Sequence, residues 1–148
     1  MTTLVIAEHY HQTLHPSTLA ALSAAHVLNN PIHVLIVGHD CEPVVQQVAV
    51  LAGVSRIIVL DHPVYTHVVA EQIAVLVAML RSHLKAVLAP GTTFGKNAIP
   101  RIAALLNVGA ISDVIEIIDA FTFEHPIYAG NALARVKSYD PIQVMTIR

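Results

Sequence analysis

The sequence predicts an α/β protein, a doubly wound and mostly parallel sheet forming a nucleotide-binding-like three-layer sandwich, with antiparallel strands added in the C-terminal third. Three observations carry this. Short Val-, Ile- and Leu-rich runs alternate with helix-length segments through the first two thirds of the chain. Those runs are apolar at consecutive positions rather than at every second one, as strands covered on both faces must be. The composition, 55% apolar and 12% charged, supplies enough apolar side chains to cover a sheet twice. Strand and helix repeating at this spacing require right-handed crossovers, and hence parallel neighbours.

The elements follow in order. Leu4 to Ala7 is the first strand, and Thr18 to Leu28 a helix that begins near His15 or Ser17 and stops at Asn29–Asn30–Pro31. Ile32 to Val37 is the second strand. Pro43 opens a helix over Val44 to Ala52, with Gly53 at its C-terminal cap. Arg56 to Leu60 is the third strand, His67 to Ser82 the longest helix, and Ala86 to Ala89 the fourth strand. Lys96 to Leu106 is the next helix, with Pro100 in its first turn or kinking it. A fifth strand then runs into Val114.

The pattern changes after Asp113. Val114 to Ile118, Phe121 to Tyr128, Ala132 to Ser138 and Ile142 to Ile147 all read as strands, separated by Asp119–Ala120, Gly130–Asn131 and Asp140–Pro141 turns. Strands without intervening helices pair as antiparallel hairpins, extending one edge of the sheet or making a small flap on it.

At 148 residues the chain makes one domain, 1–148, with a full core. A net charge of −2 gives no basic field for nucleic acid. The single cysteine, Cys41, rules out an intramolecular disulfide framework and fits a reducing compartment. No basic n-region precedes the first strand, and the most membrane-like run, Ile73 to Leu80, falls far short of the ~20 residues that span a bilayer. A bacterial-type cytoplasmic protein, not embedded in a membrane, is expected. Arg148 directly follows a strand, which points to a piece of a longer protein.

The most informative stretch is Lys85 to Val114, a buried strand, a glycine-bounded loop, a helix and the next strand. Its loop, GTTFGKN, resembles a phosphate-binding loop and departs from one. Only three residues separate Gly91 from Gly95, and Asn97 stands where a Ser or Thr would reach Mg²⁺. An ordinary strand-to-helix turn capped by Thr93 explains the same residues. His9, His11 and His15 match no zinc spacing and read as polar loop histidines. Cys41 lies at a helix start, yet the sequence names no base or oxyanion site to go with it. No G-x-S-x-G, H-E-x-x-H or G-x-G-x-x-G occurs. No catalytic residue and no metal ligand is therefore expected.

In an open α/β sheet, ligands bind at the carboxyl ends of the strands. Loops after strands one, four and five would gather Glu8, then Gly91, Thr92, Thr93, Phe94, Gly95, Lys96 and Asn97, and finally Ser112 and Asp113. These are the candidate partner- or ligand-facing residues. Plain loop and cap chemistry accounts for them equally well.

Several motifs then fall in one order: LVIAEH at Leu4–His9, L-x-P-x-TL at Leu14–Leu19, AGV at Ala52–Val54 and the Asp61–Tyr65 segment. The most specific are FGKN-x-x-PR-x-A at Phe94–Ala103, ISD at Ile111–Asp113 and YAGNAL-x-x-VKS at Tyr128–Ser138. Over nearly its whole length the chain resembles the N-terminal domain of the electron transfer flavoprotein alpha subunit. The resemblance implies half of an alpha/beta heterodimer carrying FAD, fed by flavoprotein dehydrogenases and discharging to a membrane-associated quinone oxidoreductase. It also implies that FAD lies chiefly in a second alpha domain that is absent here, so no cofactor-binding residue carries over and no cofactor is expected in this chain. What it leaves is a scaffold that packs on the beta subunit and the flavin domain. From the residues alone, a free-standing adenine-nucleotide-binding module using Gly91–Lys96 stays open as the alternative, and a small hydrolase using Cys41 as a weaker one.

Overall fold

The computed structural model describes residues 1–148. Strands and helices alternate as β1 (Thr2–Ile6), α1 (Ser17–Val27), β2 (Ile32–Gly38), α2 (Glu42–Ala49), β3 (Val54–Asp61), α3 (Ala70–Met79), β4 (Leu84–Pro90), α4 (Thr93–Leu106) and β5 (Ala110–Val114). Four strands follow: β6 (Glu116–Asp119), β7 (Thr122–Ile127), β8 (Ala132–Lys137) and β9 (Gln143–Ile147). The main sheet has six strands in the order β3-β2-β1-β4-β9-β5, all parallel. A second, antiparallel sheet runs β6-β7-β8.

The consecutive apolar residues of the central strands divide between two cores. Leu4 and Ile6 of β1 pack with Leu35, Val87 and Val144 under α3 and α4. Val5 and Ala7 point the other way, joining Val34, Ile36, Leu88 and Met145 under α1 and α2. Residues i and i+1 of a strand face opposite sides, so this division is the physical content of a three-layer sandwich. Phe123 of β7, fully buried, inserts into the second core and anchors the small sheet there, with Ile117 and Val136 beside it.

The last strand departs from expectation. β9 does not pair with β8 as a hairpin; it enters the main sheet between β4 and β5, parallel to both. All five of its residues are buried. The crossover through α4 sets β5 two strand-widths from β4, and the slot between them is filled from the end of the chain. A strand in a slot has neighbours and cores on all sides, which suits the run QVMTI better than a solvated flap. The other three C-terminal strands do form antiparallel neighbours, and β6 is a separate strand from β5, with Ile115 exposed between them.

Several element ends also move. α2 begins at Glu42 and stops at Ala49 with Val50 as cap, so Gly53 lies beyond it, at φ +83, where the chain turns into β3. α3 begins at Ala70 rather than His67. The stretch before it makes a 3-10 turn at Pro63–Tyr65, and the Gln72 side chain accepts the Val69 amide to start the helix. α4 begins at Thr93 with Thr92 as its N-cap residue, and Pro100 sits inside the helix, where its missing N–H leaves the Lys96 carbonyl without its usual donor. Asn107, left-handed at φ 58, ends α4 as its amide and that of Val108 return to Ala104 and Ala103.

Candidate functional site

β1 and β4 are adjacent in the sheet while the chain proceeds from them to opposite sides, so the crevice between their carboxyl ends is the topological switch point. Glu8 stands two residues past the end of β1, and Thr92 two residues past the end of β4. The Thr92 hydroxyl donates to Glu8 Oε2 at 2.7 Å, which closes that crevice with a side-chain bond. Ser17, the first residue of α1, places its hydroxyl 3.0 Å from the same oxygen. The Thr18 hydroxyl donates to the Glu8 carbonyl at 3.1 Å and accepts the Glu8 amide at 3.0 Å. One carboxylate thus sits at the starts of α1 and α4, the place where a doubly wound sheet elsewhere receives a ligand's anion.

His15 stands 4.0 Å from Glu8 Oε2. The Ser17 amide, however, donates to His15 Nδ1 at 3.1 Å. The Ser17 hydroxyl lies 2.7 Å from the same nitrogen, so Ser17 stands between His15 and Glu8.

The two glycines of the GTTFGKN loop serve packing. A Cβ on Gly95 would run into the carbonyl oxygen of Pro90, so only glycine lets the first turn of α4 fold down on the end of β4. A Cβ on Gly91 would come 2.7 Å from the carbonyl oxygen of Ile147, to which the Gly91 amide donates at 2.6 Å. Phe94 packs against the core beneath α3, and Thr93 and Asn97 line a small cavity there with Val68 and Ile73. These residues turn away from the crevice. Nothing in the loop cradles a diphosphate, and the chain's own residues do not fit a flavin nucleotide here.

Lys96 and Asp113 do meet, at 3.3 Å. A bulge in β5 between Ile111 and Val114 makes this contact, with Asp113 left-handed at φ 55 and its amide held by Thr146 Oγ1 at 2.8 Å. Asp tolerates that conformation, and the bulge re-aims its carboxylate toward α4. Ser112 points to the far side of β5, into a cavity with His125 and Ser138, and is not part of the site. An open cavity of about 480 Å³ lies over the Lys96–Asp113 pair, with the Tyr128–Gly130 turn as its other wall. Tyr128 and Ala129 are both left-handed in that turn, at φ 52 and 54, and Tyr128 is exposed.

The structure therefore joins Glu8 to Thr92 and Lys96 to Asp113, over Gly91 and Gly95, and separates Thr93, Phe94, Asn97 and Ser112 from them. Sequence reasoning missed Ser17, Thr18 and Thr146. The hydroxyls at the start of α1 were the available signal for the first two; nothing local marks Thr146, which matters through a neighbouring strand.

The other candidates resolve by their partners. His9 Nε2 donates to the Val37 carbonyl at 2.9 Å while Nδ1 accepts the His11 amide at 2.9 Å. His11 Nδ1 in turn accepts the His39 amide at 3.1 Å. Burial holds the His9 pKa below its usual 6.5, against the Val37 bond that raises it. Cys41 is fully buried, and burial together with the Asp61 carboxylate pushes its thiol up to about 11, the opposite of what a nucleophile needs. His39 lies between two carboxylates, Nε2 3.3 Å from Asp40 and Nδ1 3.6 Å from Asp61. The three side chains bring one ligand atom each within 4.8 Å of one another, and both Asp61 oxygens already accept the amides of Asp40 and Cys41.

A model of the electron transfer flavoprotein domain matches residues 3–148. The chain belongs to that family. Relatives include the electron transfer flavoprotein subunit alpha of Pseudomonas aeruginosa, 44% identical over 100% of this chain and 48% of the relative. The mitochondrial subunit alpha of Dictyostelium discoideum is 43% identical over 99% of this chain and 44% of its own length. That of Paracoccus denitrificans is 40% identical over 100% and 48%. The chain thus spans about half the length of these curated relatives. The family is one of electron-carrying flavoproteins, and its alpha relatives are named as subunits. No helix here is long and apolar enough to cross a membrane.

Proposed function

We propose that this chain is the scaffold and docking domain of an electron transfer flavoprotein alpha subunit. It has no catalytic set of its own, and its partners are a beta subunit and a companion domain that holds FAD. The assembled carrier takes electrons from flavoprotein dehydrogenases in the bacterial cytoplasm and passes them to a quinone oxidoreductase. The observation that carries this reading is the closed switch point. Glu8, Thr92 and Ser17 fill the crevice with their own hydrogen bonds, and Lys96, the loop's one cation, is paired with Asp113. A flavoprotein domain whose crevice is filled by its own side chains supports a cofactor held elsewhere. The rim of Lys96, Asp113 and the Tyr128–Gly130 turn is then the part of the candidate surface left to face a partner, with Glu8, Gly91 and Thr92 bracing it from below.

The test pairs two measurements on the 148-residue chain. Calorimetric titration with FAD, AMP and ATP should show no binding, and a co-expressed electron transfer flavoprotein beta subunit should co-purify with it. Lys96→Ala should fold normally and at most weaken that association. Stoichiometric FAD binding would place the flavin site in this domain. AMP or ATP binding that Lys96→Ala abolishes would replace the reading with a nucleotide-binding module.

A further inference from the structure

At the opposite end of the sheet, where the strands begin, three cationic or titratable side chains converge on one cavity. His33 comes from the start of β2, Arg56 from β3 and His83 from the turn that leads into β4. The cavity measures about 290 Å³, and its floor is Leu4, Ile58, Leu80 and Leu84. Thr2, whose hydroxyl is spent on the His83 carbonyl, closes one side together with Met1.

No acidic residue lines this cavity. Arg56 takes part in none of the ion pairs of the fold. It stands directly across from His33 in the β2–β3 register, so its guanidinium has an imidazole and no carboxylate as its cross-strand neighbour. The His33 pKa records the same field: burial lowers it first, then Arg56, His83 and the α-amino group at Met1. A chain with only eight Lys and Arg against ten Asp and Glu has acids available, and places none here.

We propose that this cavity binds a small amphipathic carboxylate, its anionic head held by Arg56, His33 and His83 and its apolar body laid on Ile58 and Leu80, which cover the buried Leu4 and Leu84. The head is a carboxylate because the Arg56 fork accommodates its two oxygens side by side. The body is short because the cavity lies at the small end of the range for ligand sites, about 300 Å³ and upward. The apolar floor separates this ligand from a bare inorganic anion, and Arg56 with the two imidazoles separates it from a neutral apolar one. Anion binding favours the protonated ring of His33, whose pKa burial and Arg56 hold below its usual value, so affinity rises as pH falls below about 6.5.

Benzoate is a suitable probe, with benzyl alcohol and inorganic phosphate as partners lacking the charge or the apolar body. In amide-resolved NMR titrations of the 148-residue chain, benzoate should shift His33, Arg56, Leu80 and His83 saturably. Benzyl alcohol and phosphate should bind at least about tenfold more weakly. Benzoate affinity should increase between about pH 7 and about pH 5.5. Arg56→Gln should lower it about tenfold or more, and His33→Gln should flatten its pH dependence, whereas Lys137→Gln should leave it unchanged. The same spectra report that each variant is folded. Absence of a saturable benzoate response at these residues, or equal affinity in Arg56→Gln, would overturn the site. Benzyl alcohol or phosphate binding as tightly as benzoate would overturn the assigned ligand class.

Discussion

Glu8 shows how one side chain serves as a junction. Its carboxylate takes a hydroxyl from the start of α4 and lies against one from the start of α1, while its own amide and carbonyl are both bonded to Thr18. Glu8→Ala would leave the Thr92 hydroxyl without its acceptor and unpin two helix starts. The expected cost is about 1–3 kcal/mol, read as a lower denaturation midpoint. Lys96 contrasts with it. Its partner Asp113 is close, but the two side chains are 51% and 28% exposed, so Lys96→Ala should change stability by less than about 1 kcal/mol in the same assay. His9 adds a pH dependence of known sign. Its folded pKa lies below 6.5, so the folded state prefers the neutral ring. The stabilisation is complete above about pH 6.5 and is lost as pH falls from there through the depressed folded value. Denaturation midpoints followed downward through that window should fall, and His9→Gln should fall less; parallel curves for the two proteins would refute the assignment.

At the scale of elements, α4 and its loop carry the most information. The helix is amphipathic, with Ala98, Ile99, Ile102 and Leu106 buried, and that spacing is visible in the residues themselves. The role of Gly95 is not visible in this way. A glycine in a first helical turn costs about 1 kcal/mol relative to alanine, so helix propensity alone favours replacing it. The Pro90 carbonyl occupies the space an alanine methyl needs. Gly95→Ala should therefore destabilise by about 1–3 kcal/mol rather than stabilise, and a thermal melt gives the sign directly. The same distinction runs through the candidate loop. Its position after β4 and its nearness to Glu8 and Asp113 were legible from strand order, since parallel strands deliver their loops to one edge. Which of its side chains turn to that edge was not. Phe94 and Asn97 follow the helix rotation toward α3, and Ser112 and Asp113 point to opposite sides of one strand.

For the whole molecule, the decisive event is the entry of the last strand into the middle of the main sheet. Met145 is fully buried in β9, between β4 and β5 and over the core beneath α1. Met145→Ala should cost about 2–5 kcal/mol. Leu133, 60% exposed on β8, should tolerate alanine within about 0.5 kcal/mol. Similar midpoints for the two variants would mean that β9 contributes no more than the peripheral sheet. By itself the sequence determined the α/β class, the parallel order of the early strands and the chemistry of the loops, because burial on both faces leaves consecutive apolar residues in the chain. The tertiary structure alone decided that QVMTI lies between β4 and β5, that Glu8 closes the crevice and that Asp113 turns to Lys96. Those outcomes depend on which slot is left open, and which groups stand opposite, once the other strands have paired, and no local segment encodes that.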